Sequence, residues 1–224
     1  MERHLDQQLA DLKNELVVMG SRVEMAIFES IESLKQLDRG RADKVISDDK
    51  IIDDLENAID EKCLELLALQ QPMAIDLRFI AMEMKISTDL ERMADLAVDI
   101  AQRVLELADK PLLKPLIDIP KLAVIAQEMT RGAIESFLNL DAELAKKLIL
   151  RDKEADAVRN LVQQELINDY ISIDKKTIPR AIPLLLVARH LERICDHATN
   201  ICEDVIYMIE AKVVKHHPEK LQES

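Results

Sequence analysis

A chain of 224 residues that is 48% apolar can bury a large core, as one large domain or two small ones. Three Gly, seven Pro, three Phe, two Tyr and no Trp favour long helices over sheets, which draw on aromatic and turn residues. A net charge of −13 without basic runs excludes a nucleic-acid footprint and unaided adhesion to anionic lipid; cations or a basic partner face suit it better.

From Leu5 to about Leu37, apolar residues recur at helical spacing, including Leu5, Leu9, Leu12, Leu16, Met19, Val23, Ile27, Ile31 and Leu34. Gly20 interrupts this long first helix mildly. Asp38-Arg39-Gly40 breaks it, and Asp38 is placed to cap the next helix. That second helix runs from about Arg41 to Gln70. Pro72 suits the first turn of a third, from about Met73 to Ala108. The two-proline stretch Lys110-Pro111-Leu112-Leu113-Lys114-Pro115 divides the chain. A fourth helix covers about Pro120 to Leu140, with Asp141 as the next cap, and a fifth about Ala142 to Ile171. Ser172 to Pro179 is a polar turn. A sixth helix runs from about Arg180 to Lys215, and His216 to Ser224 form a polar, frayed end. The start, Met1-Glu2-Arg3-His4-Leu5-Asp6, has no apolar core of a signal peptide, and the apolar run Ile182 to Ala188 is too short to span a bilayer. The expectation is a cytoplasmic protein without membrane insertion. Cys63, Cys195 and Cys202 read as core thiols; Cys195 and Cys202 lie about 10 Å apart along one helix, too far to bridge.

The chain repeats itself. Residues 30–53 align on 133–156 without a gap, with 11 identities among 24 positions, and residues 90–104 align on 191–205 with 7 in 15. The offset falls from 103 to 101 between the two blocks. This duplication defines three helices per copy. The expected fold is all-α, two tandem three-helix bundles of residues 1–110 and 116–215, elongated, with short connections between antiparallel neighbours.

The third helix of each copy carries a ladder of polar groups at i, i+4 and i+8: Glu91, Asp95 and Asp99, then Glu192, Asp196 and Asn200. The second helix carries a pair, Asp49 and Asp53, then Asp152 and Asp156. Like charges one turn apart repel by a few tenths of a kcal/mol. If the helices are neighbours, oxygen donors from both converge, a set suited to hard or borderline cations. One such motif alone is ordinarily a solvated helix face; its recurrence in both copies is what favours cations. Arg92 and Arg193 lie inside the ladders, either orienting the carboxylates or holding phosphate, the orienting role being preferred. Glu32 and Glu135 are matched in the repeat as further oxygen donors, while His190 and His197 point off the acidic face. No Gly-rich phosphate loop, nucleophile elbow or H-E-x-x-H motif is present.

Gln71-Pro72-Met73-Ala74-Ile75-Asp76-Leu77-Arg78, then Asp89-Leu90-Glu91-Arg92-Met93-Ala94-Asp95, resemble the PhoU family of phosphate-uptake regulators. So does the run from Ala188 to Glu203. Met93-Ala94 and Ile194-Cys195 stand where that family often has Ile-Gly. The resemblance implies two three-helix bundles related by a pseudo-twofold, in a protein that is not an enzyme. It implies metal sites at Asp49, Asp53, Glu91, Asp95, Asp99, Asp152, Asp156, Glu192, Asp196 and Asn200, with iron or zinc foremost and magnesium or manganese next. It implies repression of the phosphate-starvation response by contact with the ATPase subunit of the phosphate ABC transporter and with a sensor histidine kinase, usually as a homodimer. The alternatives from other classes are a metal-dependent phosphate-ester hydrolase and a metal-storage helical protein.

Overall fold

The computed structural model describes residues 4–211. The reading of the first three residues, the last turn of the sixth helix to Lys215 and the frayed segment His216 to Ser224 lie outside them. Six helices run in order: α1 (His4–Gln36), α2 (Arg39–Gln70), α3 (Ile75–Leu107), α4 (Asp118–Asn139), α5 (Ala142–Glu165) and α6 (Ile178–Glu210). Short π-helical and 3₁₀ turns, Leu166–Ile171 and Lys175–Thr177, connect the last two. No strand occurs among the described residues.

The duplication is written into the caps. Asp38 and Asp141 each accept a hydrogen bond from the backbone N–H three residues on, at 3.1 and 2.9 Å, and so start α2 and α5. Gly40 does not make the break before α2, as the sequence suggests it would; no glycine has a positive φ among the described residues. The turn is made by Leu37, and in the second copy by Leu140, with φ of 51° and 53°. The Asp38 N–H donates to the Ser33 carbonyl at 2.9 Å and the Leu37 N–H to the Leu34 carbonyl at 3.4 Å, the paired closure of a Schellman end. Asp141 and Leu140 repeat it on Ser136 and Phe137. The chain leaves α2 through Gln71 at φ 45°, and Ala74 at φ 49° precedes α3. Pro72 therefore lies in the connection and not in the first turn of α3, because the sharp reversal needs four residues. The fifth helix reaches Ile171 as its periodicity predicts, but from Leu166 its turns widen into π-helix, and the Ser172 N–H donates to the Ile167 carbonyl at 2.9 Å. Pro183 inside α6 cannot donate to the Pro179 carbonyl, and Lys110 donates to it instead at 3.4 Å.

Within each copy the three helices pack on one another, and the copies then join along α3 against α6 and α1 against α4. The core is one continuous cluster running through both bundles, from Leu12 to Met208. The buried stripe of α3 runs through Phe79, Ile80, Ile86, Leu90, Met93, Ala97, Ile100 and Val104. At Gly20 α1 meets Ile134 of α4 so closely that an added Cβ would collide with that side chain. At Gly132 an added Cβ would sit 2.9 Å from Leu148 of α5. The linker is held by buried Lys114, which pairs with Glu165 of α5. The three cysteines are free and buried, and burial pushes the Cys63 and Cys202 thiols up to about 12.

α3 and α6 run antiparallel. Arg78 donates to the Met208 carbonyl at 3.2 Å, Lys85 pairs with Asp204, and Asp99 lies 3.7 Å from His190. The pseudo-twofold is visible in single contacts: Asp89 to Asn200 at 3.5 Å is the counterpart of His190 to Asp99 at 3.7 Å, each residue shifted by 101.

Candidate functional site

The neighbouring of α2 with α3, and of α5 with α6, brings each aspartate pair onto its ladder. In the first copy Asp49 and Asp53 of α2 meet Glu91 and Asp95 of α3. Burial pushes Asp49 up to about 6, and the charges of Asp53 and Asp95 add to it. Burial pushes Glu91 up to about 7, assisted by Asp95, Glu56, Asp53 and Asp49. Asp95 is raised by burial and by Asp53 and Asp99. In the second copy burial raises Asp152 to about 6, with Asp196, Asp156 and Glu192 contributing. Asp196 is raised by burial, then by Glu192 and Asp156. Carboxylates that raise one another from two different helices are close in space.

The third rungs turn away. A step of eight residues rotates about 80° around a helix, so they face the opposite copy. Asp99 lies against His190, and the Asn200 amide donates to Asp89. Asp89 is buried and also meets the His197 Nδ1 at 2.8 Å. Arg92 and Arg193 make no ion pair with their own ladders among the described residues; Arg92 lines a cleft on the α3–α6 seam with Asp89 of its own helix and Asn200 and Asp204 of α6. Glu32 pairs with Lys35 at 2.6 Å and with Arg41, away from the acidic faces.

Three participants escape the motif pattern of the sequence. Arg159 of α5 donates to Glu192 at 2.9 Å and to Asp156 at 3.3 Å, a guanidinium inside the second carboxylate face. Its counterpart at the 103-residue offset is Glu56, which crowds Glu91. The signal for both is the internal alignment, carried past its last identity. Glu83 is the third: fully buried on α3 with neither carboxylate oxygen hydrogen-bonded, and pushed by burial up to about 8.

As placed, no three His, Cys, Asp or Glu side chains converge tightly enough to hold an ion among the described residues. The donor chemistry nonetheless fits a cation: the groups are anionic oxygens on rigid helices, and each face is destabilised by its own charge. In the second face a guanidinium already stands where a cation would sit. Closure on an ion requires side-chain rotation from the positions seen.

Fold and site together define a class: an all-helical protein of two three-helix repeats, each presenting a carboxylate face between its second and third helices. The PhoU domain matches the chain twice, over residues 16–104 and 119–205, and the chain belongs to the PhoU family. It is 41% identical over 212 residues to the phosphate-specific transport system accessory protein PhoU homolog of Aquifex aeolicus, covering 95% of this chain and 96% of that one. It is 33% identical over 221 residues to PhoU homolog 2 of Thermotoga maritima, covering 99% and 94%. The crystal structure of PhoU from Pseudomonas aeruginosa superposes with a TM-score of 0.89 at 33% identity, covering 93% of this chain and 100% of that one. No described helix is long and apolar enough to cross a membrane.

Proposed function

We propose that the chain is a cytoplasmic accessory regulator of phosphate transport that acts by protein contact and binds divalent cations on its two carboxylate faces. The observation that carries this reading is the near full-length likeness to proteins named phosphate-specific transport accessory proteins. The mutual crowding of Asp49, Asp53, Glu91 and Asp95, and of Asp152, Asp156, Glu192 and Asp196, supports the cation part. Iron or zinc are the first candidates, then magnesium or manganese; the oxygen donors suit hard or borderline cations. Asp99 and Asn200 extend each face towards the opposite copy. The partners are the ATPase subunit of a phosphate ABC transporter and a sensor histidine kinase, with a second copy of the chain completing a homodimer. The test pairs Asp95→Ala with Asp196→Ala. Loss of bound cation together with derepression of starvation genes is expected. Unchanged cation content and unchanged repression would overturn the reading.

A further inference from the structure

The two copies differ in charge at one cleft. Between α5 and α6 lies an open cleft of about 680 Å³, lined by Arg159, Arg189 and Arg193, by Glu192 and Asp196 of the second carboxylate face, and by apolar Leu185 and Leu186. The pseudo-twofold sends Arg159 to Glu56, Gln163 to Asp60, Arg189 to Thr88 and Arg193 to Arg92. The second copy has therefore lost two acids and gained two arginines at matching positions. The register is secure: Arg159 contacts Glu192 as Glu56 crowds Glu91.

Arg189 and Arg193 are exposed and make no hydrogen bond or ion pair among the described residues. They lie four apart on α6, about one turn or 6 Å along its axis, so both forks can reach one ligand. Arg159 neutralises Glu192 at the cleft edge, and its Nε is buried without a partner. The α5 backbone widens into its π-helical turn beside this cleft, bringing Ile167 to its wall; the matching stretch of α2 is regular helix. On a chain of net charge −13 the overall field repels anions, so three arginines against two carboxylates set this cleft apart from the composition.

We infer that this cleft binds a phosphate-type dianion: two unpaired guanidinium forks match two negative charges spread over several oxygens. The cleft shares Glu192 and Asp196 with the second carboxylate face, so binding is measured on metal-stripped protein, where it stands or falls apart from the cation reading. The ligand is either free inorganic phosphate or the phosphate of a small organic molecule, for which the cleft also has room.

The experiment uses the full chain stripped of metal, at fixed ionic strength in chloride buffer. Calorimetric titration is run with inorganic phosphate and, separately, with adenosine diphosphate. Wild type binds at least one of them. Arg189→Ala with Arg193→Ala weakens binding at least tenfold without lowering the melting temperature, and Arg92→Ala in the first copy leaves it within twofold. Tighter binding of the nucleotide identifies an organic phosphate, and equal or tighter binding of the free ion identifies inorganic phosphate. Absence of binding to both, or binding kept by the double variant, overturns the inference.

Discussion

Glu83→Leu should stabilise this protein, and more so as pH rises. Glu83 is wholly buried on α3 with both oxygens unpartnered, near Lys13 and Glu15 of α1 and Cys63 of α2. Burial raises its carboxyl from the usual 4.5 to about 8. The folded state therefore holds a proton that the unfolded chain releases above 4.5. Its contribution is fully present below that value and is lost as pH rises towards 8, at about 1.4 kcal/mol per pH unit. At pH 7 the charged-or-protonated choice costs the fold about 3 kcal/mol. Leucine matches the volume, and the counterpart in the second copy is buried Leu184. Urea unfolding of wild type and variant at pH 5, 6, 7 and 8 measures the effect. The expected gain is present at pH 5, where an unpartnered carboxyl costs about 1–3 kcal/mol, and grows by about 2.5 kcal/mol from pH 5 to pH 7. Taking the difference between the two proteins removes the other raised carboxylates. A gain independent of pH, or a variant less stable at every pH, would refute the reasoning.

Leu140→Gly relieves an L-residue held at φ 53° and half exposed, so a gain of about 1 kcal/mol is expected in denaturant unfolding. Gly20→Leu wedges α1 from α4 and should cost about 1–3 kcal/mol, whereas Gly40→Leu, whose Cβ would meet only the Asp38 Oδ1 at 3.4 Å, should cost under about 1 kcal/mol. Calorimetric melting separates the two. Asp141→Ala removes the cap on the Leu144 N–H and should destabilise by about 1 kcal/mol, measured in the same way.

The helices, the duplication and both aspartate caps were legible because each rests on local rules: 3.6-residue periodicity, side-chain capping and self-similarity. The pairing of α2 with α3 and of α5 with α6 followed from short connections. The antiparallel seam of α3 on α6 was not legible, since it joins two stripes each already accounted for within its own bundle. That seam decides where Asp99, Asn200, Asp89, His197 and Arg92 point. The ladder spacing i, i+4 and i+8 suggests one face, although the last step rotates about 80° and sends Asp99 and Asn200 to the other copy. Glu83 was legible after all: it falls at helical spacing between Ile80 and Ile86 on the buried stripe. The Leu37 and Leu140 turns were hidden because the left-handed position is usually glycine, and a nearby Gly40 drew the break too far along the chain.

Titration of metal-stripped protein with Mn²⁺ tests the central claim most directly. The wild type should take up the ion, and the variant carrying Asp49→Asn, Asp53→Asn, Glu91→Gln and Asp95→Asn should lose uptake by the first face while melting at the same temperature or higher, freed of its charge repulsion. Identical uptake by the two proteins, or none by the wild type, would contradict it.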